Sequence, residues 1–133
     1  MEEKDLGYYL ESLLKYDLEY VSVINPQGRI LDHTSRHLDL SQGKLEMLCM
    51  GIRLQHSMQS DFDEDLGAVN YIVTERDNLK FISVPILSNV ILAIAKKGKD
   101  HKPLIEKLLS KEFFSDLKTQ LDQYNTVTIG IGA

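Results

Sequence analysis

The chain has 133 residues, of which 43% are hydrophobic and 26% are charged, with a formal net charge of −5. This length and composition predict a single globular domain with its own hydrophobic core. The balance of 15 basic against 20 acidic residues argues against a nucleic-acid-binding protein, because such a protein needs a basic surface to displace counterions from phosphates.

The cysteine count and the N-terminal sequence bear on the compartment. Cys49 is the single cysteine, so it has no partner for an internal disulfide, which favours a reducing environment. Residues 1–5 show neither the basic start nor the apolar run of a signal peptide. The longest apolar stretch, residues 90–95, is too short to span a bilayer. We therefore expect a cytoplasmic protein without a membrane span.

The first third of the chain predicts one helix followed by a β-hairpin. Asp5 precedes an apolar series at helical spacing and is suited to cap it. Two β-rich runs, 20–24 and 29–34, flank an Asn-Pro-Gln-Gly sequence at 25–28, whose proline and glycine are typical of a turn. The apolar series consists of Leu6, Leu10, Leu13 and Leu14.

A second helix is predicted from 44 to about 60, with Asp39 and Ser41 both suitable as N-caps. Its apolar residues form two stripes displaced around the helix, a wider apolar surface than one core contact requires. Gly51 lies in the middle, where it costs about 1 kcal/mol relative to Ala but allows another backbone to approach closely. The first stripe is Leu45, Leu48, Cys49 and Ile52, and the second is Met47, Met50, Leu54 and Met58.

Three strands are predicted in succession after an acidic connector at 61–65. The first, at 68–75, alternates between apolar and polar residues, and the second, at 79–84, follows a turn at 76–78. The third, at 90–95, is apolar without interruption, which predicts a central strand covered on both faces. The residues expected on one face of the first strand are Val69, Tyr71 and Val73.

The end of the chain predicts a last helix and an extension. Asp100 is expected to cap this helix and Pro103 to occupy its first turn, with a break near Ser110. Apolar residues alternate again near the terminus, so we expect a domain at 1–124 and a C-terminal extension at 125–133 that can add a strand. The apolar side of the helix is Leu104, Leu108, Leu109, Phe113, Leu117 and Leu121.

The element order helix, two strands, helix, three strands, helix has short connections between strands, which predicts an α+β fold with antiparallel neighbours. The runs 20–31 and 79–95 and the helix around 48–58 give the sequence a resemblance to the roadblock / dynein-light-chain family, which has a profilin-like fold. The resemblance covers about residues 5–120. It implies a five-stranded antiparallel sheet with the first and last helices on one face and the middle helix on the other.

The same resemblance implies a role. Members of that family commonly form homodimers or heterodimers by joining their third strands and packing their middle helices together. They serve as scaffolds or regulators, often for small Ras-like GTPases, and some assist GTP hydrolysis. The acidic connector at 61–65 and the tail after Tyr124 go beyond the minimal domain, so the partner surface of this chain is expected to differ.

The second stripe of the middle helix indicates a dimer interface independently of any family. A contiguous apolar patch of this kind is normally buried in a partner, and methionine suits an adaptable contact because its side chain is flexible and polarisable. In the alternative interpretation, the sheet and neighbouring loops of the same chain cover both stripes. The residues expected in the interface are Met47, Met50, Leu54, Met58, Val69, Tyr71 and Val73.

No pattern in the sequence predicts a catalytic, cofactor-binding or metal site. The four histidines, His33, His37, His56 and His101, lack the ligand spacing of a zinc site. Cys49 and His56 could form a nucleophile pair, but Cys49 lies in a core-facing stripe, where a thiol is ordinarily inert. The carboxylates at 61–65 resemble a calcium loop only in part, because the required glycine is absent.

These observations favour a non-catalytic, homodimeric interaction or scaffold module, and the family resemblance implies a small Ras-like GTPase or another regulatory protein as its further partner. The alternative is a small-molecule sensor of profilin/PAS-like architecture, whose sheet and middle helix would enclose a cavity lined by Tyr71, Phe81 and Met58. Such a sensor needs an enclosed pocket of roughly 300 Å³ or more, whereas a scaffold needs a filled core and an apolar outer patch.

Overall fold

The computed structural model describes residues 4–132 and, among them, the side chains of residues 4–124. Helix α1 (Leu6–Ser12) continues into a 3-10 turn (Leu13–Tyr16), which is followed by strands β1 (Leu18–Ile24) and β2 (Ile30–Ser35) and by helices α2 (Gln42–Ser60) and α3 (Asp63–Leu66). Strands β3 (Ile72–Glu75), β4 (Leu79–Ile86) and β5 (Asn89–Lys96) precede helices α4 (Lys102–Leu108) and α5 (Lys111–Gly132). The predicted α+β class is confirmed.

The five strands form one antiparallel sheet in the order β2-β1-β5-β4-β3. Strand β5 is the middle strand, and its residues from Asn89 to Ala95 are all buried. This confirms the central strand predicted from the uninterrupted apolar run at 90–95, since only a strand covered on both faces buries successive side chains.

Helices cover both faces of the sheet, as predicted. Helices α1, α4 and α5 pack on one face, and α2 lies on the other. The first layer includes Leu6, Leu10, Leu104, Phe113 and Leu117 packed against Val21, Val84 and Ile91 of the strands. The second layer joins Leu45, Cys49 and Ile52 of α2 to Tyr20, Phe81, Leu92 and Ile94.

Side-chain hydrogen bonds to backbone N–H groups mark where helices α1 and α2 begin. The Asp5 carboxylate accepts a hydrogen bond from the Tyr8 backbone N–H at 2.9 Å, which confirms the predicted cap of α1. Of the two candidates for α2, the structure selects Ser41, whose hydroxyl accepts from the Lys44 N–H at 3.3 Å. Helix α2 therefore begins two residues earlier than predicted.

Three further features differ from the predictions. Strand β3 begins at Ile72 instead of 68. Ile72 pairs with Ser83, and two positions further along β4 Pro85 has no N–H to donate, so the ladder does not continue. The acidic connector contains the short helix α3. Helix α4 is capped at His101 instead of Asp100, whose carboxylate accepts from the Lys102 N–H at 3.0 Å.

The C-terminal helix is broken where predicted but ends later. Ser110 separates α4 from α5, and its hydroxyl accepts from the Phe113 N–H at 3.3 Å. The added strand expected at 125–133 is wrong for the described residues, because α5 continues through Gly132 and crosses the predicted boundary at Tyr124 without a break. Extending an existing helix adds one hydrogen bond for each residue fixed, whereas a strand must find a free sheet edge.

One buried polar pair ties α2 to the sheet. The His56 Nε2 atom lies 2.7 Å from the Ser83 hydroxyl oxygen, and both side chains are buried. Burial lowers the pKa of His56 below its ordinary value, and the positive charge of Arg53 lowers this pKa further. The imidazole is therefore neutral near pH 7, since its charged form would have to leave water without a counter-charge.

This lowered pKa predicts a pH-dependent stability. Because the pKa of His56 is lower in the folded chain than its ordinary value of about 6.5 in the unfolded chain, the unfolded chain binds the proton first as pH falls. The free energy of unfolding therefore keeps its full contribution from His56 above about pH 6.5 and loses it as pH falls through the folded pKa. Urea unfolding between pH 7.5 and 5.5, at one protein concentration, should show a smaller decline for His56→Gln than for the parent.

His101 serves as a control for which we expect a smaller effect on the pH dependence of stability. Burial and Lys80 lower its pKa too, but Asp100 and Glu75 act in the opposite direction, so His101→Gln should flatten the pH dependence less than His56→Gln. An unchanged slope in His56→Gln would show that this histidine does not contribute to the decline.

Candidate interaction surface

The two apolar stripes of α2 lie on opposite sides of the helix, as positions advancing by 100° per residue require. The inner stripe faces the sheet, and its buried members are Leu45, Cys49 and Ile52. The side chains of Met47, Met50, Leu54 and Met58 are 72%, 56%, 60% and 61% exposed. We call these four residues the outer stripe. The alternative in which the sheet and loops of the same chain cover both stripes is therefore wrong.

Two glycines shape the surroundings of the outer stripe. A Cβ atom added at Gly51 would meet no other atom within 4 Å, so the helix surface there is open to a close neighbour. Gly28, in the β1–β2 turn, has φ of +81°, and a Cβ atom there would lie 3.2 Å from Met50 Cγ and 3.3 Å from Met50 Cα. The hairpin turn therefore packs against α2 at Met50, in a conformation that favours glycine.

Two further large apolar side chains are exposed beyond the end of α2. Phe62, just before α3, and Leu66, the last residue of α3, are both exposed. Helix α2 ends at Ser60 and α3 begins at Asp63, so helical spacing does not place these two side chains on the outer stripe. The sequence analysis did not single them out, because it treated the acidic segment around them as a connector.

The β3 residues predicted for the interface are only partly brought together with the outer stripe. Val69 and Tyr71 precede the strand instead of forming part of it; Val69 is half-buried and Tyr71 exposed. Val73 lies in β3 and is exposed, but it pairs with Ile82, which belongs to the layer of α1, α4 and α5. Val73 thus lies on the face of the sheet opposite α2, at an edge strand that pairs with β4 on one side.

The candidate nucleophile pair does not form. Cys49 is fully buried, and burial raises the pKa of its thiol although the nearby hydroxyls of Ser22 and Tyr20 oppose this shift. His56 instead bonds to Ser83. A protonated, inaccessible thiol is a poor nucleophile, so Cys49 is a packing residue between α2 and the sheet.

The other sites considered from the sequence can also be placed. No group of three or more His, Cys, Asp or Glu side chains in the described part of the chain is arranged to hold a metal ion. The sensor cavity predicted from Tyr71, Phe81 and Met58 is wrong, because Met58 and Tyr71 face solvent while Phe81 is buried. Among residues 4–132, no helix has both the length and the apolar character needed to cross a membrane.

Comparison with known proteins gives similarity at the level of structure. No protein-family model and no curated protein sequence matches this chain. The gliding protein MglB of Thermus thermophilus superposes with a TM-score of 0.69 at 13% identity, covering 85% of this chain and 88% of that one. A roadblock/LC7 domain of Streptomyces avermitilis superposes with a TM-score of 0.62 at 10% identity, covering 94% and 98%.

A further MglB structure, described as having a tetrameric arrangement, superposes with a TM-score of 0.69 at 11% identity and covers 86% of this chain and 88% of that one. These likenesses extend over most of each chain. At such low identities they establish the architecture, and the resemblance noted in the sequence is confirmed at that level. The chain has a roadblock/LC7-like fold.

Proposed function

We propose that the chain is a non-catalytic interaction module of the cytoplasm that forms a homodimer through the outer stripe of α2 and the edge strand β3. The observation that carries this proposal is the outer stripe itself. Four large apolar side chains stand on the solvent side of one helix, directly opposite the stripe that packs on the sheet. A patch of this kind is normally covered in a soluble protein.

A second copy of the chain is the partner that suits this surface best. A dimer with two-fold symmetry places the same patch on both sides of the interface, so an apolar stripe meets an apolar stripe. Gly51, at the middle of α2, allows the same helix of a second copy to approach closely. The tetrameric arrangement described for one MglB structure of the same fold supports self-association here.

The dimer would supply a composite face for a further protein. Pairing of the outer edges of the two β3 strands would join the sheets of the two copies, and the composite face is the surface of that joined sheet. By the resemblance to the roadblock family, the proposed partner of this face is a small Ras-like GTPase or another regulatory protein. The buried thiol of Cys49 and the neutral, bonded imidazole of His56 are not available for catalysis, which supports a role as a binding element in that complex.

Replacing Leu54 by Asp should dissociate the dimer. Leu54 lies in the centre of the outer stripe, where a carboxylate would have to be buried without a partner. Loss of an interface hot spot of about 2 kcal/mol raises the dissociation constant at least ~30-fold. Sedimentation equilibrium should give twice the 15.2 kDa chain mass for the parent and the single-chain mass for the variant.

Gln55→Asp is the matched control. It adds the same charge at the next exposed position of α2, away from the outer stripe, and should leave the dimer intact. A parent that is monomeric at tens of micromolar, or a Leu54→Asp variant that remains dimeric, would refute the proposed interface.

Binding of the GTPase should depend on the dimer. We expect a Ras-like GTPase from the same organism, loaded with GDP or with a non-hydrolysable GTP analogue, to bind the parent and the Gln55→Asp control but not Leu54→Asp in calorimetric titrations. Equal binding by monomer and dimer would contradict the composite face, and no binding in either nucleotide state would remove the GTPase from the proposal while leaving the dimer untouched.

A further inference from the structure

An apolar groove lies where α4 meets α5, on the face of the sheet opposite α2. Its volume is about 190 Å³, which is below the roughly 300 Å³ needed for a small-molecule site and suits a single large side chain. Buried residues of β4 and α4 form its floor: Val84, Ile86 and Leu108. The exposed side chains at its rim are Leu109, Lys111 and Phe114.

Ser110 fixes the shape of this groove. Its hydroxyl donates to the Lys107 carbonyl oxygen at 2.8 Å and accepts from the Phe113 N–H at 3.3 Å, so α4 ends and α5 begins at one short break. The break places Leu109 at the end of α4 and Phe114 in the first turn of α5, where they are 46% and 41% exposed. Covering two large apolar side chains that border a groove is favourable, since it removes apolar surface from water.

The rim of the groove carries an unpaired positive charge. Lys111 is exposed and forms no ion pair with any described side chain. A side chain that enters the groove is therefore favoured if a carboxylate lies beside it, because opposite charges attract and fix the orientation of the partner. The groove thus fits an aromatic or long aliphatic side chain that is flanked by acidic residues.

The chain itself contains such a segment, between α2 and α3. Phe62 is 54% exposed, and Asp61 and Asp63 flank it in the sequence, followed by Glu64 and Asp65. None of these four carboxylates forms an ion pair with another described side chain. Because Phe62 is exposed, it is not seated in the groove of its own chain. We call residues 61–65 the Phe62 segment.

We propose that the groove binds the Phe62 segment of a second copy of the chain. The Phe62 ring lies between Leu109 and Phe114, and a flanking carboxylate lies beside Lys111. An aromatic side chain in an apolar pocket supplies most of the affinity in contacts of this kind, and the charge pair at the rim supplies orientation. The contact uses no residue of the outer stripe, so it does not require the proposed dimer.

One such contact is weak, and several contacts between dimers act together. A single aromatic side chain and one surface charge pair correspond to a dissociation constant of roughly 0.1–1 mM, so a monomer at tens of micromolar stays a monomer. Each dimer carries two grooves and two Phe62 segments, which raises the effective affinity between dimers. The contact therefore links dimers into larger assemblies, a consequence that rests on the proposed dimer, whereas the contact itself does not.

Mixing two complementary variants of the full chain tests the contact by nuclear magnetic resonance. Both variants carry Leu54→Asp, so that the outer stripe does not contribute. An isotopically labelled chain that also carries Phe62→Ser keeps only the groove, and an unlabelled chain that also carries Phe114→Ser keeps only the segment. Adding the unlabelled chain up to about 1 mM, near the expected dissociation constant, should cause saturable shifts of the Leu109 and Lys111 backbone amides in the labelled chain.

Matched controls use the same Leu54→Asp background. An unlabelled chain with both Phe62→Ser and Phe114→Ser should cause no shifts, while adding Tyr8→Ser, which removes an exposed aromatic ring from α1, to the unlabelled Phe114→Ser chain should leave them unchanged. Circular dichroism establishes that each variant is folded, and Lys111→Glu, at an exposed position, replaces Phe114→Ser if that variant does not fold. No saturable shifts with the complementary pair, or equal shifts with the chain that lacks Phe62, would overturn the proposal and leave the dimer untouched.

Discussion

The burial of β5 on both faces is the constraint on which the rest of the molecule depends. A strand with seven consecutive buried residues requires an apolar layer on each side of the sheet, because no solvated face remains for it. Helices α1, α4 and α5 share one side, and α2 provides the layer on the other. The layered architecture follows from this requirement, with three helices on one side of the sheet and one helix on the other.

The single-helix layer has a consequence for function. Helix α2 must present an apolar inner stripe to the sheet, and no other helix of the described chain lies over its outer side, where Met47 and Met58 remain exposed. The sequence nevertheless makes that outer side apolar, at a cost in solubility unless it is covered.

Sequence reasoning succeeded where periodicity was long and unambiguous. The uninterrupted run at 90–95 identified β5, and the double stripe on α2 identified the exposed surface. It failed for residues 125–132, because a short alternation of apolar residues does not distinguish a strand from the continuation of a helix that starts at Lys111. The bond between His56 and Ser83 could not be predicted, since the two residues come from separate elements and meet only in three dimensions.

Solvent accessibility of the methionine methyl groups tests the central claim most directly. Three of the four methionines, Met47, Met50 and Met58, lie on the outer stripe, so a chain with isotopically labelled methionine methyl groups reports on it in the presence of a soluble paramagnetic agent. If the stripe is the dimer interface, the Met47 and Met58 signals will be shielded from the agent at high protein concentration and become accessible on dilution. Signals that are fully accessible at every concentration would contradict the account.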